Sequence, residues 1–367
     1  MYKKNVVILI GVLIIVSIAI IKYQGPVVNN KVIEVMSNSQ EQEACYNFIK
    51  QYLMNELGGI YTNYHPTTMA NEWATGHEVL SESQGLYMLY LVKEDKSEEF
   101  EQAVTFVNQY LINANGILVW RSKEDETLAS SNAAIDDLRI LRALYEASIK
   151  WNNPEYSTLV QQIEEKFYNT NVVKGRLYGC YDGLVEEVVD TIPLCYFDLE
   201  TMWKLSDINP AWKKVYRKSL KTIEKGFLGK VFPFYAFQYD YETKSYDHGK
   251  EWRMTEGVLT ILQLAQVGQH KDETIKWLLE ELKNGAVYGT YNTLTGMPTT
   301  DIESTAIYAG IAQIGKVIGN QELYDLAMDK MLSFQIQTEN SVLKGAFGDE
   351  ASEEIYSYDN LQALLAF

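Results

Sequence analysis

The sequence predicts an all-α fold, a barrel of paired helices, on three observations. Apolar residues recur at spacings of three and four in about a dozen successive segments, from residue 41 to the end of the chain. Between them run long connections rich in Tyr, Gly, Asn and Asp, such as NTNVVKGRLYGCYDG and KNGAVYGTYNTLTGMPTTD. Connections above roughly 12 to 15 residues are uncommon in compact domains unless they carry function, so their recurrence suggests an active face built from loops. Finally, no run combines strand alternation with βαβ spacing, and no tandem repeat of fixed period occurs, which disfavours α/β folds and solenoids.

Lys3 and Lys4 precede an uncharged, largely apolar run over residues 5–21, which Lys22 closes. This length is near the minimum for a membrane span. The run ends in IIKYQG, without an Ala-x-Ala cleavage site or a cysteine for a lipid anchor, so residues 1–22 read as a retained signal anchor more than a signal peptide. The two leading lysines place the N-terminus inside and the body of the protein outside the cell, as a single-pass membrane protein; cleavage would make it secreted. Residues 23–40 form a tether and residues 41–367 the catalytic-sized domain.

Helices are expected over 41–57, from Glu82, and over 97–112, 133–150, 155–168, 194–205, 211–226, 254–267, 271–284, 302–317, 321–335 and 357–366. At the second of these, Ser81 is a plausible N-cap and Gln84 follows three residues later, a capping-box pattern that makes Glu82 the first helical residue. At the fourth, Ser131 or Asn132 can cap a helix from Ala133. Short hairpins are expected in the Tyr-rich connections.

The net charge of −17, from 32 basic and 49 acidic residues, argues against nucleic acid or an anionic membrane surface as partner. Cys45, Cys180 and Cys195 are too few for a disulfide framework, and Cys180 with Cys195 is the nearest pair in sequence. Four histidines without ligand spacing point to no metal site, and the lack of a Gly-rich phosphate loop points to no nucleotide cofactor. The 26 tyrosines and seven tryptophans are compatible with a carbohydrate groove, because aromatic faces stack on sugar rings.

Three acidic places could carry chemistry. Glu82 opens one helix. Asp136 and Asp137 open another, where either also complements the helix dipole. Asp247 lies in SYDHGKEWRMTEG with Tyr246, Trp252 and Arg253. Paired carboxylates suit glycoside hydrolysis: one protonates the leaving oxygen, and the other attacks the sugar or activates water.

These segments resemble glycoside hydrolase family 8, the family of bacterial cellulases and chitosanases. VLSESQGLYMLYL is similar to its Ser-Glu-Gly-x-Gly-Tyr-Gly-Met segment, matched by Ser81, Glu82, Gly85 and Met88. SNAAIDDLRILRALYEASIKW is similar to its Ala-(Ser/Thr)-Asp-(Ala/Gly)-Asp-x-x-Ile-Ala signature, with Ala133, Asp137, Ile140, Ala147 and Trp151 in register. SYDHGKEWR resembles its Tyr-Asp-Ala-x-Arg segment, matched by Tyr246, Asp247, Trp252 and Arg253. The resemblance implies an (α/α)6 barrel of about twelve helices and an inverting, endo-acting hydrolase of a β-linked, β-1,4 polysaccharide, with Glu82 as general acid and Asp247 as general base. Ile135 stands where the family's first signature Asp binds sugar, so Asp136, or Asp137, takes over that role. Ser83 and Tyr87 replace family glycines, which implies a reshaped donor helix and a narrowed subsite; in the third segment Lys250 stands where Arg is usual. Trp73, Trp120, Tyr181, Tyr196, Tyr246, Trp252 and Arg253 are the groove candidates, beside Asp137. Such divergence together with an anchor is similar to the exopolysaccharide-associated branch, which implies the cell's own polysaccharide as substrate and its synthesis machinery as partner. The alternative is a non-catalytic exopolysaccharide-binding subunit on the same barrel.

Overall fold

The computed structural model describes residues 26, 32–35, 39–66, 74–249 and 252–367. The expected anchor at 1–22 and Trp73 lie outside the described residues, and among those described no helix is long and apolar enough to cross a membrane. Twelve α-helices are described, one for each expected segment: α1 Ser39–Tyr52, α2 Ser81–Lys93, α3 Ser97–Tyr110, α4 Ala134–Lys150, α5 Pro154–Asn171, α6 Leu199–Leu205, α7 Trp212–Lys225, α8 Met254–Gln266, α9 Asp272–Asn284, α10 Thr305–Ile318, α11 Gln321–Leu332 and α12 Ser357–Ala366.

The even-numbered helices form a closed ring. Helix α2 packs on α4, α4 on α6, α6 on α8, α8 on α10, α10 on α12, and α12 returns to α2. The odd-numbered helices lie outside: α3 on α2, α5 on α4, α7 on α6, α11 on α10 and α1 on α12, with α9 joined through α11. This is an (α/α)6 barrel. Amphipathicity follows from the layering, since outer helices bury one stripe while inner ones are apolar nearly all round. Helix α10 buries eleven of its fourteen residues, whereas outer α3 buries five of fourteen.

Local chemistry sets several boundaries differently from the sequence expectation. Ser81 does not cap α2: the N-cap position is Leu80, and the Ser81 hydroxyl instead donates to Asp136 Oδ2 at 3.1 Å. Gln84 makes no capping box either, because its amide accepts from Ile60 N and donates to Gly58 O. Helix α4 begins after Ala133 without a side-chain cap. The segment expected at 194–205 divides into a 3-10 turn, Leu194–Tyr196, and α6, because Asp198 accepts from Thr201 N at 2.9 Å and starts the helix there. The tyrosine-rich connections hold the expected short hairpins, including an antiparallel three-stranded sheet of Thr191–Pro193, Gln238–Asp240 and Ser245–Asp247.

Ser83 and Tyr87, expected to narrow a subsite, instead fill helix interfaces. The Ser83 hydroxyl pairs with that of Ser357 on α12 at 2.9 Å, and Tyr87 is buried and hydrogen-bonded to Tyr46 of α1. They lie four residues apart on the face of α2 turned to those helices. Trp252 is likewise a core residue and not a groove residue: its Nε1 donates to Tyr235 O at 2.9 Å, and its ring meets Phe232 and Phe234 edge-on.

Gly257 gives room for that indole, since a Cβ there would fall 1.9 Å from Trp252 Cη2. Ala is the better helix former by about 1 kcal/mol, but overpacking a core costs about 1–3 kcal/mol. Gly257→Ala is therefore expected to lower stability in denaturant unfolding; a gain of about 1 kcal/mol would mean that propensity alone acts at this site.

Candidate active site

The first turns of the inner helices meet at one end of the ring. Glu82 opens α2, Asp136 α4, Glu256 α8 and Tyr358 α12, and the charge of Glu82 acts on each of the other three. Helix N-termini carry partial positive charge, so carboxylates are favoured there. Asp359 ties the ring together beside them, accepting from Ala306 N and Ser304 Oγ of the α10 start, both at 2.8 Å.

The centre is Arg139, on the same face of α4 as Asp136 and one turn further on. Its Nη1 lies 3.2 Å from Glu82 Oε2 and 3.0 Å from Asp136 Oδ1. The Arg139 and Asp136 side chains are almost fully buried, but that of Glu82 keeps 32% of its surface exposed and is the member open to solvent. Gly85 permits the arrangement, because a Cβ there would lie 3.0 Å from Arg139 Cβ, so α2 and α4 touch directly one turn below the carboxylates.

Burial pushes the Asp136 carboxyl up to about 7, and the neighbouring Glu82 charge adds to this against the opposing pull of Arg139 and Ser81. Burial alone would weaken the Arg139 cation, but Glu82 and Asp136 outweigh it and hold its pKa above the ordinary value. Glu256 is raised too, first by burial and further by Glu82, while Arg253 works in the other direction from 2.5 Å. Burial also raises the phenols of Tyr196 and Tyr358, with the Asp136 charge adding at the first and that of Glu82 at the second.

The sequence candidates therefore divide. Glu82, Asp136 and Tyr196 come together. Trp120 stands next to them: its carbonyl accepts from Ser81 N at 3.1 Å, and its ring lies 4.6 Å from the Arg121 guanidinium. Arg253 is exposed and pairs with Glu256. Asp137 faces elsewhere, buried where Asn132 Nδ2 donates to it at 3.1 Å, and thus has a structural partner in place of sugar. Tyr181 is bound through its backbone to Asn132 and edges a separate surface cavity with Val173 and Glu186. The Tyr246 hydroxyl is committed to Thr222 O at 2.7 Å, so its ring belongs to the sheet. Asp247 is exposed on the sheet edge and accepts from Gly249 N and Gln238 Nε2, contacts within its own hairpin. Cys180 and Cys195 are free thiols.

Sequence reading missed Arg139, Glu256 and Tyr358. The first was findable, since it stands at i+3 from Asp136 on a helix already identified. Glu256 bears the same relation to Arg253. Nothing local marks Tyr358, which the ring closure alone brings to the site.

A closed ring of helix pairs with buried and half-buried carboxylates gathered at its inner N-termini is an (α/α)6 barrel with an acidic site at one end. No family model matches the sequence. The chain superposes on an alpha-amylase from Clostridium perfringens with a TM-score of 0.84 and 36% identity, over 90% of this chain and 98% of that one. The chain belongs to the family of that enzyme and hydrolyses glycosidic bonds. Endoglucanase Cel10 from Klebsiella pneumoniae, a family 8 glycosyl hydrolase, shares the fold with a TM-score of 0.63 and 16% identity, over 88% of this chain and 97% of its own. YdaJ of Bacillus subtilis, described as a candidate lipoprotein, is 25% identical over 335 residues, 90% of this chain and 87% of its own.

A carboxyl that binds its proton more tightly in the folded than in the unfolded chain costs stability as it ionises. For Asp136, with an ordinary value of 3.8 and a folded value of about 7, that cost is absent at low pH and grows between these two values. The melting temperature of Asp136→Asn minus that of the wild type is therefore expected to rise from about pH 4 to about pH 8. A difference that stays flat over this range would place the Asp136 ionisation in the normal carboxylate range.

Proposed function

We propose that the protein cleaves a polysaccharide internally with inversion of configuration, with Glu82 as general acid, Asp136 as its proton-sharing partner and Asp247 as general base. The shared Arg139 nitrogen carries this reading. Both carboxylates lie on one guanidinium, and burial together with the Glu82 charge pushes the Asp136 carboxyl up to about 7, so Asp136 keeps a proton near neutrality. Of the two, Glu82 is open to the groove and can pass a proton to a leaving oxygen, while Asp136 stays behind it. Inversion needs the base roughly 6.5 to 9.5 Å from the acid, with a water between. Asp247 takes this role from the segment resemblance. Glu256 is a second reading for the base, favoured by its place within reach of the Glu82 charge and by the Arg253 contact, which pulls toward its ionised form.

The linkage also has two readings. The three segment matches favour a β-linked, β-1,4 polysaccharide. The alpha-amylase, at more than twice the identity of the endoglucanase, favours an α-linked glucan. Both fit the same acid and base, because inversion requires only that water approach opposite the leaving group. An exopolysaccharide of the producing cell, and work beside its synthesis machinery at the cell membrane, fit the expected N-terminal anchor and the lipoprotein description of YdaJ. The non-catalytic alternative has no comparable support.

Glu82→Gln is expected to lower hydrolysis by about 10²–10⁴-fold with the fold intact. Reducing-end release from soluble starch, carboxymethylcellulose and xylan, read by chain-length analysis, would follow it; unchanged activity would remove Glu82 from the mechanism. The polysaccharide cleaved by the wild type decides the linkage. Asp247→Asn is expected to cost far more than Glu256→Gln, and the reverse order would move the base to Glu256.

A further inference from the structure

A cavity of about 280 Å³ lies between the C-terminal end of α3 and the hairpin turn after Ser122. None of Glu82, Asp136, Arg139, Tyr196 or Glu256 lines it. Two stacked ring pairs do. Tyr61 lies on His77 with centroids 4.1 Å apart and planes within 10°, and Phe106 lies on Tyr110 at 5.0 Å and 28°. The His77 ring is fixed, since its Nε2 meets Tyr64 O at 3.1 Å and its backbone N–H donates to Glu124 Oε1 at 3.1 Å. Exposed Lys123, Glu124 and Glu126 surround the opening.

We propose that this cavity is a second glycan-binding site, which holds one neutral pyranose unit of the polysaccharide outside the catalytic groove. The inference rests on the polysaccharide reading above. Planar ring pairs offer apolar faces to the C–H face of a sugar, while an ammonium and two carboxylates at the rim can donate to and accept from its hydroxyls. The volume is just below the usual lower bound of roughly 300 Å³ for ligand pockets, which suits one sugar and not a longer segment. A charged ligand is less suited, because the rim carries both signs. Position gives the site a use. Val79 lines the cavity, and its strand runs directly into Ser81 and Glu82. A chain anchored here would be kept near the acid between cleavages, raising its effective concentration.

The test is affinity electrophoresis of full-length Glu82→Gln protein through gels containing soluble starch, carboxymethylcellulose or xylan. Adding Tyr61→Ala and Tyr110→Ala is expected to weaken retardation about tenfold on whichever polysaccharide slows the parent most. In the otherwise wild-type chain the same changes should leave cleavage of a short oligosaccharide unaltered. Should the tyrosine variants fail to fold, Lys123→Ala at the exposed rim gives the same readout with a smaller loss. Retardation unaffected by all three changes, or no retardation of the parent by any of the gels, overturns the proposal. Binding is read without turnover, so a Glu82→Gln protein that still hydrolysed would sink the catalytic reading and leave this one standing.

Discussion

One guanidinium nitrogen between two carboxylates is the contact on which the rest of this structure depends. Arg139 is almost fully buried, and a buried cation without a partner is strongly destabilising, so Glu82 and Asp136 must both be delivered to it. That requirement explains several otherwise separate features. Gly85 lets α2 lie against α4 at the needed distance. Ser81 gives up a capping role to satisfy the second oxygen of Asp136. The Ser83–Ser357 and Asp359–Ala306 hydrogen bonds fix α2, α12 and α10 to one another, so that the ring closes with its helix starts aligned.

The ring in turn supplies the electrostatics. Helix N-termini favour anions, burial disfavours them, and Arg139 compensates two charges with one. The outcome differs for each member of the group. Asp136, deep and almost fully enclosed, holds its proton to about 7; Arg139 stays charged; Glu82, in the first turn of the neighbouring helix, is open to solvent. A protonated carboxyl is thus held behind the solvent-open Glu82, with both on rigid helix starts.

Most of the helices were legible in the sequence because inner and outer layers both leave a 3.6-residue apolar trace, and all twelve expected segments have a counterpart. Helix starts were less legible. Ser81 and Gln84 look like a capping box because local spacing cannot reveal that Asp136 and Gly58, far away in the chain, compete for the same side chains. The same limit hid Trp252, whose neighbours Phe232, Phe234 and Gly257 make it core. At the site, the choice between Asp136 and Asp137 needed the direction of α4: one residue along a helix turns a side chain by about 100°, enough to point Asp137 at Asn132 and away from the groove. Glu82 was singled out by a resemblance in three ordered segments, and the structure brings it to Arg139 beside Asp136. Arg139 carried a local mark, its i+3 spacing from Asp136, but its second partner Glu82 lies on another helix that spacing cannot reach.

The most direct test is a titration of the Asp136 carboxyl carbon by ¹³C NMR in full-length protein, with Asp136→Asn used to assign the signal. A step near pH 7 is the result expected of a carboxyl buried beside Arg139 and the Glu82 charge. An Asp136 titration complete below about pH 5 would contradict it.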